Sequence, residues 1–269
     1  MGDIRDGILR SVLGNRITAA IIADDAGVVA ETAAAAGEAR ALGLTVHRIL
    51  PEGSEVRPGD EIARLAGTPK QVVMAEDCLI GLMAKPSGVA TAARRFVARA
   101  GDRPEIVAGA WKKMPAALKE AIRRAIAVGG AKVRMSSGPF LYLDKNYVKM
   151  LGGIAEALKA VALLAGYVRV VQLKGHHREI ALEADEAVTH GADILFVDSG
   201  QWADLRTVSD RLKQEGLRER VRIAFGGSIR LEDIDGLKAL DVDILDVGRH
   251  IVDAPLLDMR LEVVETTEV

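Results

Sequence analysis

Short apolar runs, rich in β-branched residues and separated by amphipathic stretches, fill the second half of the chain. Continuous apolar runs of this length are typical of strands buried on both faces of a parallel sheet. The predicted strands are Ile106–Ala108, Lys132–Met135, Phe140–Leu143, Val168–Leu173, Ile194–Val197, Arg222–Phe225 and Ile244–Val247. The predicted helices between them are Pro115–Val128, Gly153–Leu164, Arg178–His190, Ala203–Gln214 and Leu231–Leu240. Five to seven such βα units predict a barrel, with an open doubly wound sheet as the alternative.

The first hundred residues follow a different pattern. Strands are predicted at 17–23, 44–49 and 61–66, and helices at 4–13, 28–42, 71–83 and 89–100, the last two separated at Pro86-Ser87-Gly88. This alternation predicts a small α+β domain over residues 1–104, followed by an α/β barrel domain over 105–258. The strand-like end, Met259–Val264, makes residues 259–269 a candidate to return to the first domain.

Composition narrows the classes of partner. The net charge of −2 and an aromatic content of 3% argue against nucleic acid. Cys78 is the one cysteine in the 269 residues, so no disulfide can form within the chain, and a reducing compartment fits. The sequence has no apolar stretch of membrane-spanning length and no signal-peptide pattern at its start, so we expect a cytoplasmic protein without a membrane partner.

Polar and glycine residues follow the late strands. Gly226-Gly227-Ser228 and Gly248-Arg249 come after two successive strands, where barrel folds hold phosphate on exposed backbone N–H groups. Asp198 also ends an apolar strand, where a carboxylate is costly unless it is paired or bound to a metal. Three cations, Lys112, Arg134 and Lys145, are expected at other strand ends, and together they favour an anion site.

Several stretches resemble the quinolinate phosphoribosyltransferases, the carboxylating nicotinate-nucleotide pyrophosphorylases. They keep the family's order and roughly its spacing: Val56-Arg-Pro-Gly-Asp60, Ala75-Glu76, Ser87-Gly-Val-Ala-Thr91 with Arg94-Arg95, Lys112 with Pro115, Gly129-Gly130, Arg134, Asn146, Gly152-Gly-Ile154, Gly191-Ala-Asp193, Asp198, Gly226-Gly227, Val247-Gly248 and Ala254-Pro255 with Asp258. The first 40 residues match poorly.

The resemblance implies an incomplete α/β barrel of about seven strands with a smaller α+β N-terminal domain, assembled as a homodimer. It implies a pentosyltransferase of NAD biosynthesis that joins phosphoribosyl pyrophosphate to a small aromatic acceptor, with Mg²⁺ and no organic cofactor. The implied catalytic residues are Lys112, Arg134, Lys145 and Asp198, with Asp198 also a metal ligand. The implied substrate-binding residues are Trp111, Asn146, Lys174, Gly226, Gly227, Ser228, Gly248 and Arg249.

The sequence departs from the family where the acceptor should bind. Asp77 and Trp111 stand where the family has arginines, and Gln172 or Lys174 stands where it has a glutamate. These changes predict an acceptor less acidic than quinolinate. Trp111 is either barrel packing or a stacking wall for an aromatic ring.

Two other functions remain open at this point. One is an idle homologue that binds a nucleotide, and the other is a barrel lyase or isomerase acting through Lys112 or Lys145. The adjacent pair His176-His177 is interpreted as a loop and not as a metal site, because adjacent side chains face different ways and no matching motif lies nearby.

Overall fold

A computed structural model of the protein describes residues 3–176 and 178–268. Within these ranges the strands are β1 Arg16–Ala23, β2 Gly27–Val28, β3 Thr45–Ile49, β4 Glu55–Val56, β5 Glu61–Gly67, β6 Glu105–Val107, β7 Phe140–Leu143, β8 Val168–Leu173, β9 Ile194–Val197, β10 Arg222–Gly226, β11 Ile244–Asp246 and β12 Met259–Thr267. The α-helices there are α1 Ile4–Ile8, α2 Thr32–Ala41, α3 Pro69–Ala100, α4 Lys119–Val128, α5 Lys145–Leu151, α6 Ile154–Ala160, α7 Ile180–Thr189, α8 Trp202–Gln214, α9 Ile234–Lys238 and α10 Arg249–Val252. None of the helices in the described part of the chain has the length and apolarity needed to span a membrane.

The chain divides into two compact units. One runs from the N-terminus to Arg94 and adds Met114–Gly130 and the segment from Asp253 to the C-terminus. The other combines Arg95–Lys113 with Ala131–Val252. This division does not coincide with residues 1–104 and 105–258: the stretch that contains α4 belongs with the N-terminal unit, and the end of α3 belongs with the barrel unit.

The barrel unit contains a six-stranded parallel sheet in the order β6-β11-β10-β9-β8-β7. Its first strand, β6, pairs with its last, β11, and the remaining strands follow one another in chain order. That circular order is the winding of an α/β barrel, whereas a doubly wound sheet places its first strand in the middle. The fold is therefore α/β, an incomplete barrel with a smaller α+β domain, as predicted.

Of the seven strands predicted for the barrel, Lys132–Met135 is wrong as a strand. This segment makes one parallel bridge, between Lys132 and Val107 on β6, and then runs as irregular chain to β7. It occupies the place of a strand on the free side of β6, so the barrel has seven positions and an interrupted wall. Its alternation of basic and apolar residues is typical of a strand. However, the connection to β7, which contains Ser136, Ser137 and Gly138, is too short for the crossover that two parallel paired strands require.

Inward-facing residues of the barrel strands form one apolar cluster. It contains Val107, Met135, Val170, Ile194, Phe196, Ala224 and Ile244, with Phe140, Tyr142 and Val168 packed against it. These positions alternate along each strand, as side chains of a pleated strand must. The next inward position on several strands is polar, and the candidate site begins there.

The N-terminal unit is built on an antiparallel sheet in the order β12-β1-β5-β3. The C-terminal strand β12 pairs with β1 from Arg16–Thr267 to Ala23–Met259, so the two ends of the chain share one sheet. Helix α3 contributes Val72, Ala75, Leu79 and Met83 to the core of this unit, at the three- and four-residue spacing of one helix face.

Helix α3 is continuous, and the predicted break at Pro86-Ser87-Gly88 is wrong. A proline inside a helix removes one N–H bond, here the one to the carbonyl of Leu82, whose residue is 38% exposed. Buried contacts hold the chain helical on the next turn. Ser87 Oγ accepts a hydrogen bond from Ala30 N at 2.9 Å, and Thr91 Oγ1 accepts one from Val28 N at 2.8 Å. Tertiary contacts therefore outweigh the local preference of proline.

Gly88 lies where the helix touches the segment before β12. A Cβ at this position would lie 1.9 Å from the carbonyl oxygen of Pro255, far inside van der Waals contact. This stretch of the resemblance, Ser87 to Thr91, is thus explained by close packing within the N-terminal unit.

We predict that Gly88→Ala lowers the free energy of unfolding by about 2–3 kcal/mol, because the backbone at Pro255 must move away. The matched control is Gly81→Ala on the same helix, where a Cβ meets nothing within 4 Å. It should raise stability by about 0.5–1 kcal/mol through its helix propensity. Thermal melts of both variants measure the difference, and equal melting temperatures would contradict the packing argument.

Candidate active site

Three neighbouring strands bring Asp198, Gly226 and Asp246 to one level at their carboxyl ends. Val197 pairs with Phe225, and Gly226 pairs with Asp246, so the residue after Val197 falls beside Gly226. All three follow inward positions of the apolar cluster by two residues and therefore face inward. The face of the barrel formed by these strand ends is called the mouth below.

The middle position of this row has no side chain. A Cβ on Gly226 would lie 2.7 Å from the ring of Phe196, which fills the space beneath it. The glycine therefore makes room for the Phe196 ring between the two carboxylates. Such a row can accommodate a small group that carries positive charge, or a cation.

Asp198, a predicted site residue, is held by two side chains from β8 and its exit. Gln172 Nε2 donates to Asp198 Oδ2 at 2.5 Å, and Lys174 Nζ lies 3.2 Å from the same oxygen. Lys174 Nζ also donates to the main-chain oxygen of Asp198. The structure thus places Lys174 at the mouth, as the sequence predicted, and adds Gln172 as its partner in orienting the carboxylate.

Asp246 is a mouth residue that the sequence reasoning missed. Its Oδ1 accepts a hydrogen bond from Gly109 N at 2.9 Å. Burial raises the pKa of the Asp246 carboxyl, the Gly109 N–H opposes the rise, and the charge of Asp198 adds to it; Lys112 and Lys113 oppose it. A carboxylate at the end of an apolar run was the signal that identified Asp198, and the same signal was present in Ile244-Leu245-Asp246.

The two glycine loops lie at the mouth on adjacent strands, as the phosphate hypothesis requires. Gly227 has φ +119°, and a Cβ there would lie 2.5 Å from Cα of Gly200. Gly200 N donates to Gly226 O at 3.1 Å, so the β9 and β10 exits are in backbone contact. Ser228 follows in the left-handed region with φ 54°.

The helices after these loops are short. A 3₁₀ turn at Leu231–Asp233 precedes α9, and α10 after Gly248 spans four residues and begins with Arg249. The backbone N–H groups of the loops themselves are therefore the more important donors for an anion, and Arg249, which is exposed, adds a charge.

Trp111 and Lys112 lie on a 3₁₀ segment, Gly109–Lys113, that follows β6. Trp111 Nε1 donates to Val133 O at 2.9 Å. Lys112 Nζ lies 5.7 Å from the centroid of the Tyr142 ring, whose residue belongs to the inner wall of β7. Both predicted residues therefore lie at the β6–β7 side of the mouth, where the barrel wall is interrupted.

Lys145 and Asn146 begin helix α5, directly after β7. Asp144 caps this helix, accepting from Asn146 N at 2.9 Å and Tyr147 N at 3.1 Å. Lys145 N donates to Gln172 Oε1 at 2.8 Å, which links this turn to the residue that orients Asp198. Asp144 is therefore engaged as the helix cap, and Lys145 carries the positive charge at this turn.

Arg134 lies in the irregular segment after the Lys132 bridge and is exposed. The sequence placed it at a strand end. It stands instead on irregular chain, next to Val133, whose carbonyl oxygen receives the Trp111 indole.

A small cavity of about 10 Å³ lies beside the mouth between the β7 and β8 exits. Its walls include Lys145, Gln172, Lys174, His176 and Glu183. The buried carboxylate of Glu183 accepts from Lys174 N at 3.0 Å and Gly175 N at 2.9 Å, and so fixes the loop that carries Lys174. His176 is in a loop, and His177 lies outside the described residues.

Among residues 3–176 and 178–268, no group of three or more His, Cys, Asp or Glu side chains is arranged to hold a metal. The donor set at the mouth is instead a pair of aspartates. Mg²⁺ takes one or two carboxylates and completes its shell with water and substrate phosphate. The predicted ligand Asp198 would supply one such carboxylate, whereas Asp246 is engaged by the Gly109 N–H.

Known protein families and curated relatives match this chain. The N-terminal domain profile of quinolinate phosphoribosyl transferase matches residues 8–87, and the C-terminal domain profile matches residues 89–262. A probable carboxylating nicotinate-nucleotide pyrophosphorylase of Methanothermobacter thermautotrophicus is 27% identical over 252 residues, covering 93% of this chain and 89% of the relative. The human carboxylating nicotinate-nucleotide pyrophosphorylase is 27% identical over 224 residues, covering 82% and 73%.

Solved structures share the fold. The nicotinate-nucleotide pyrophosphorylase of Pyrococcus furiosus superposes with a TM-score of 0.82 at 21% identity, covering 98% of this chain and 74% of that one. That of Francisella tularensis gives a TM-score of 0.82 at 20% identity, covering 98% and 90%. The resemblance predicted from scattered motifs is confirmed along nearly the whole chain: the protein belongs to the quinolinate phosphoribosyltransferase family.

Proposed function

We propose that this phosphoribosyltransferase-family enzyme transfers the phosphoribosyl group of phosphoribosyl pyrophosphate to a nitrogen of a small aromatic acceptor less acidic than quinolinate. The observation that carries the proposal is the row Asp198–Gly226–Asp246, two carboxylates separated by a glycine, with lysines on one side and glycine loops beyond it. This arrangement matches a substrate with phosphate at both ends and a carbon that becomes positive between them.

The 5-phosphate is assigned to the loops at Gly226–Ser228 and Gly248–Arg249. The close backbone approach of Gly227 and Gly200 keeps side chains out of this space, so main-chain N–H groups can reach phosphate oxygens. Arg249 supplies a positive charge, which the neutral main-chain N–H groups of the loops do not.

At the reacting carbon, the bond from C1 to the pyrophosphate oxygen breaks and its electron pair leaves with pyrophosphate. The acceptor nitrogen supplies the pair for the new C1–N bond. The ribosyl carbon is oxocarbenium-like in between, and carboxylates preorganised beside it stabilise that charge. Asp198 is suited to this because Gln172 and Lys174 fix its orientation before substrate binds.

The pyrophosphate requires cations. Lys112 and Lys174 lie at the mouth, and Lys145 lines the adjoining cavity. Mg²⁺ held by Asp198 would neutralise charge on the leaving pyrophosphate. The lysines bind and orient the same group from the protein side.

The acceptor is proposed to be less acidic than quinolinate because of the charges around it. Trp111 offers a ring face in place of a guanidinium, and Asp246 adds negative charge to the mouth. Asp77, at the other expected arginine, is paired with Arg5 at 2.8 Å within the N-terminal unit. A dicarboxylate would meet fewer cations than the family pattern provides.

Schiff-base chemistry through Lys112 or Lys145 finds no support in the geometry. Both lysines are exposed, whereas amine nucleophiles of this type are desolvated in apolar pockets. An idle homologue that binds a nucleotide has the same binding loops, and turnover decides between the two.

We further propose a two-fold dimer in which the part of α3 near Glu76 faces the mouth of the partner. Val73 and Leu82 on this helix are 39% and 38% exposed, and their burial would favour association.

The phosphate assignment predicts that Arg249→Gln weakens binding of phosphoribosyl pyrophosphate about ten- to a hundredfold, the usual loss for one charge-assisted contact. Arg206→Gln, an exposed arginine on α8, is the control and should leave affinity unchanged. Isothermal titration calorimetry with Mg²⁺ present measures both. If Arg249→Gln bound phosphoribosyl pyrophosphate as tightly as the parent protein, Arg249 would not be a phosphate-binding residue.

The acceptor proposal predicts that quinolinate supports pyrophosphate release with a kcat/KM about two to four decades below that of the best neutral or monoacid acceptor, for example nicotinate or an azole. Trp111→Arg should raise the quinolinate value at least about tenfold, because it restores a bidentate cation. Lys113→Arg, two residues along the same segment, should not. Efficient quinolinate turnover by the parent enzyme would refute the proposal.

The assembly proposal predicts a particle of twice 28.7 kDa in light scattering at micromolar concentration. Asp substitution of both Val73 and Leu82 should shift the population to monomer, while Asp substitution of Val263, a 57% exposed residue on β12, should not. A monomeric parent protein would end this proposal.

A further inference from the structure

We infer that Asp246 is a positioning residue: it fixes the Gly109–Lys113 segment, and through it the placement of Trp111 and Lys112 at the mouth. Its functional part rests on the proposed phosphoribosyl transfer, but its structural part does not.

The carboxylate holds the start of the segment. Asp246 Oδ1 accepts from Gly109 N at 2.9 Å, and a Cβ on Gly109 would lie 3.3 Å from each carboxylate oxygen. A glycine at 109 therefore allows the carboxylate to approach without crowding. One residue on, Val247 N donates to Val107 O at 2.7 Å, so the strand ends beneath the contact are already locked together.

The other end of the segment is held by the indole. Trp111 Nε1 donates to Val133 O at 2.9 Å, on the irregular chain that interrupts the barrel wall. Among the described residues, the irregular segment that contains Val133 pairs with a strand at one position, the bridge between Lys132 and Val107. The Gly109 contact is thus the anchor attached to a regular strand, and the Trp111 contact is attached to a weaker support.

Charge favours the same arrangement. Asp246 faces Asp198 across Gly226, so its negative charge needs compensation. Lys112 and Lys113 on the segment supply it, since both interact favourably with the Asp246 carboxylate. The carboxylate and the lysines therefore attract each other, and the segment is drawn toward the mouth.

The consequence concerns the acceptor more than phosphoribosyl pyrophosphate. Trp111 stands where an arginine would meet the acceptor, and a ring can serve as a wall only if its backbone is fixed. The Gly226–Ser228 loop lies on the exit of a different strand, β10, and makes no contact with Gly109. Loosening the segment should therefore impair acceptor use first.

The test uses Trp111 as a spectroscopic reporter. Trp111 and Trp202 are the two tryptophans of the chain, so Trp202→Phe leaves Trp111 alone. In this background Asp246→Ala should red-shift the Trp111 emission and increase its quenching by acrylamide about twofold. Asp246→Asn keeps an oxygen that can accept from Gly109 and should recover most of the difference. Asp198→Asn, in the same row without contact to Gly109, should leave the emission as in the parent.

Kinetics give the second readout. With nicotinate or whichever panel acceptor is turned over, Asp246→Ala should raise the acceptor KM about tenfold and change the KM for phosphoribosyl pyrophosphate much less. Unchanged Trp111 emission and quenching in a folded Asp246→Ala protein would overturn the inference, as would a KM rise confined to phosphoribosyl pyrophosphate.

The fluorescence criteria also apply if Asp246→Ala does not fold or if the parent enzyme shows no turnover. If Asp246→Ala does not fold, Gly109→Ala, which crowds the same carboxylate, is judged by the same emission and quenching criteria. If none of the acceptors in the panel supports pyrophosphate release by the parent enzyme, the proposed function fails. The fluorescence comparison still decides whether Asp246 positions the segment.

Discussion

The parallel register of β9, β10 and β11 is the constraint on which the candidate site depends. It sets Asp198 and Asp246 at the same level with Gly226 between them. Two like charges so placed repel, and each is tolerated because it has partners: Gln172 and Lys174 for one, Gly109 N and nearby lysines for the other. The polar contacts of the mouth follow largely from this need for compensation.

Those partners come from strands and turns far apart in the chain. Gln172 connects the row to the first turn of α5 through Lys145 N, and Glu183 fixes the loop after β8 through two backbone N–H groups. Ground-state hydrogen bonds thus hold the mouth before any substrate binds, which is the arrangement that electrostatic catalysis requires.

The family resemblance has two physical origins. In the N-terminal unit, Ser87, Gly88 and Thr91 serve packing and backbone hydrogen bonds, so their pattern reports the fold and not the chemistry. In the barrel unit, the glycine loops and Asp198 lie at the strand ends, where the proposed phosphorylated substrate would bind. Changes are concentrated where the acceptor would be recognised, and this is the part of such a site where a different substrate can be accommodated without loss of the scaffold.

The amino-acid sequence by itself determined the barrel class, the six strands of its parallel sheet and the position of the glycine loops, because apolar runs and strand-exit glycines are local signals. It also predicted Asp198 and Lys174 as site residues, and the structure places them together at the mouth. It could not show that helix α3 passes through Pro86, since contacts with Ala30 and Val28, distant in the chain, outweigh the local effect of proline. It could not show that Lys132–Met135 fails to pair with β7. The contacts of Asp246 were decided by tertiary structure alone, because only strand register brings that carboxylate to Gly109 and opposite Asp198.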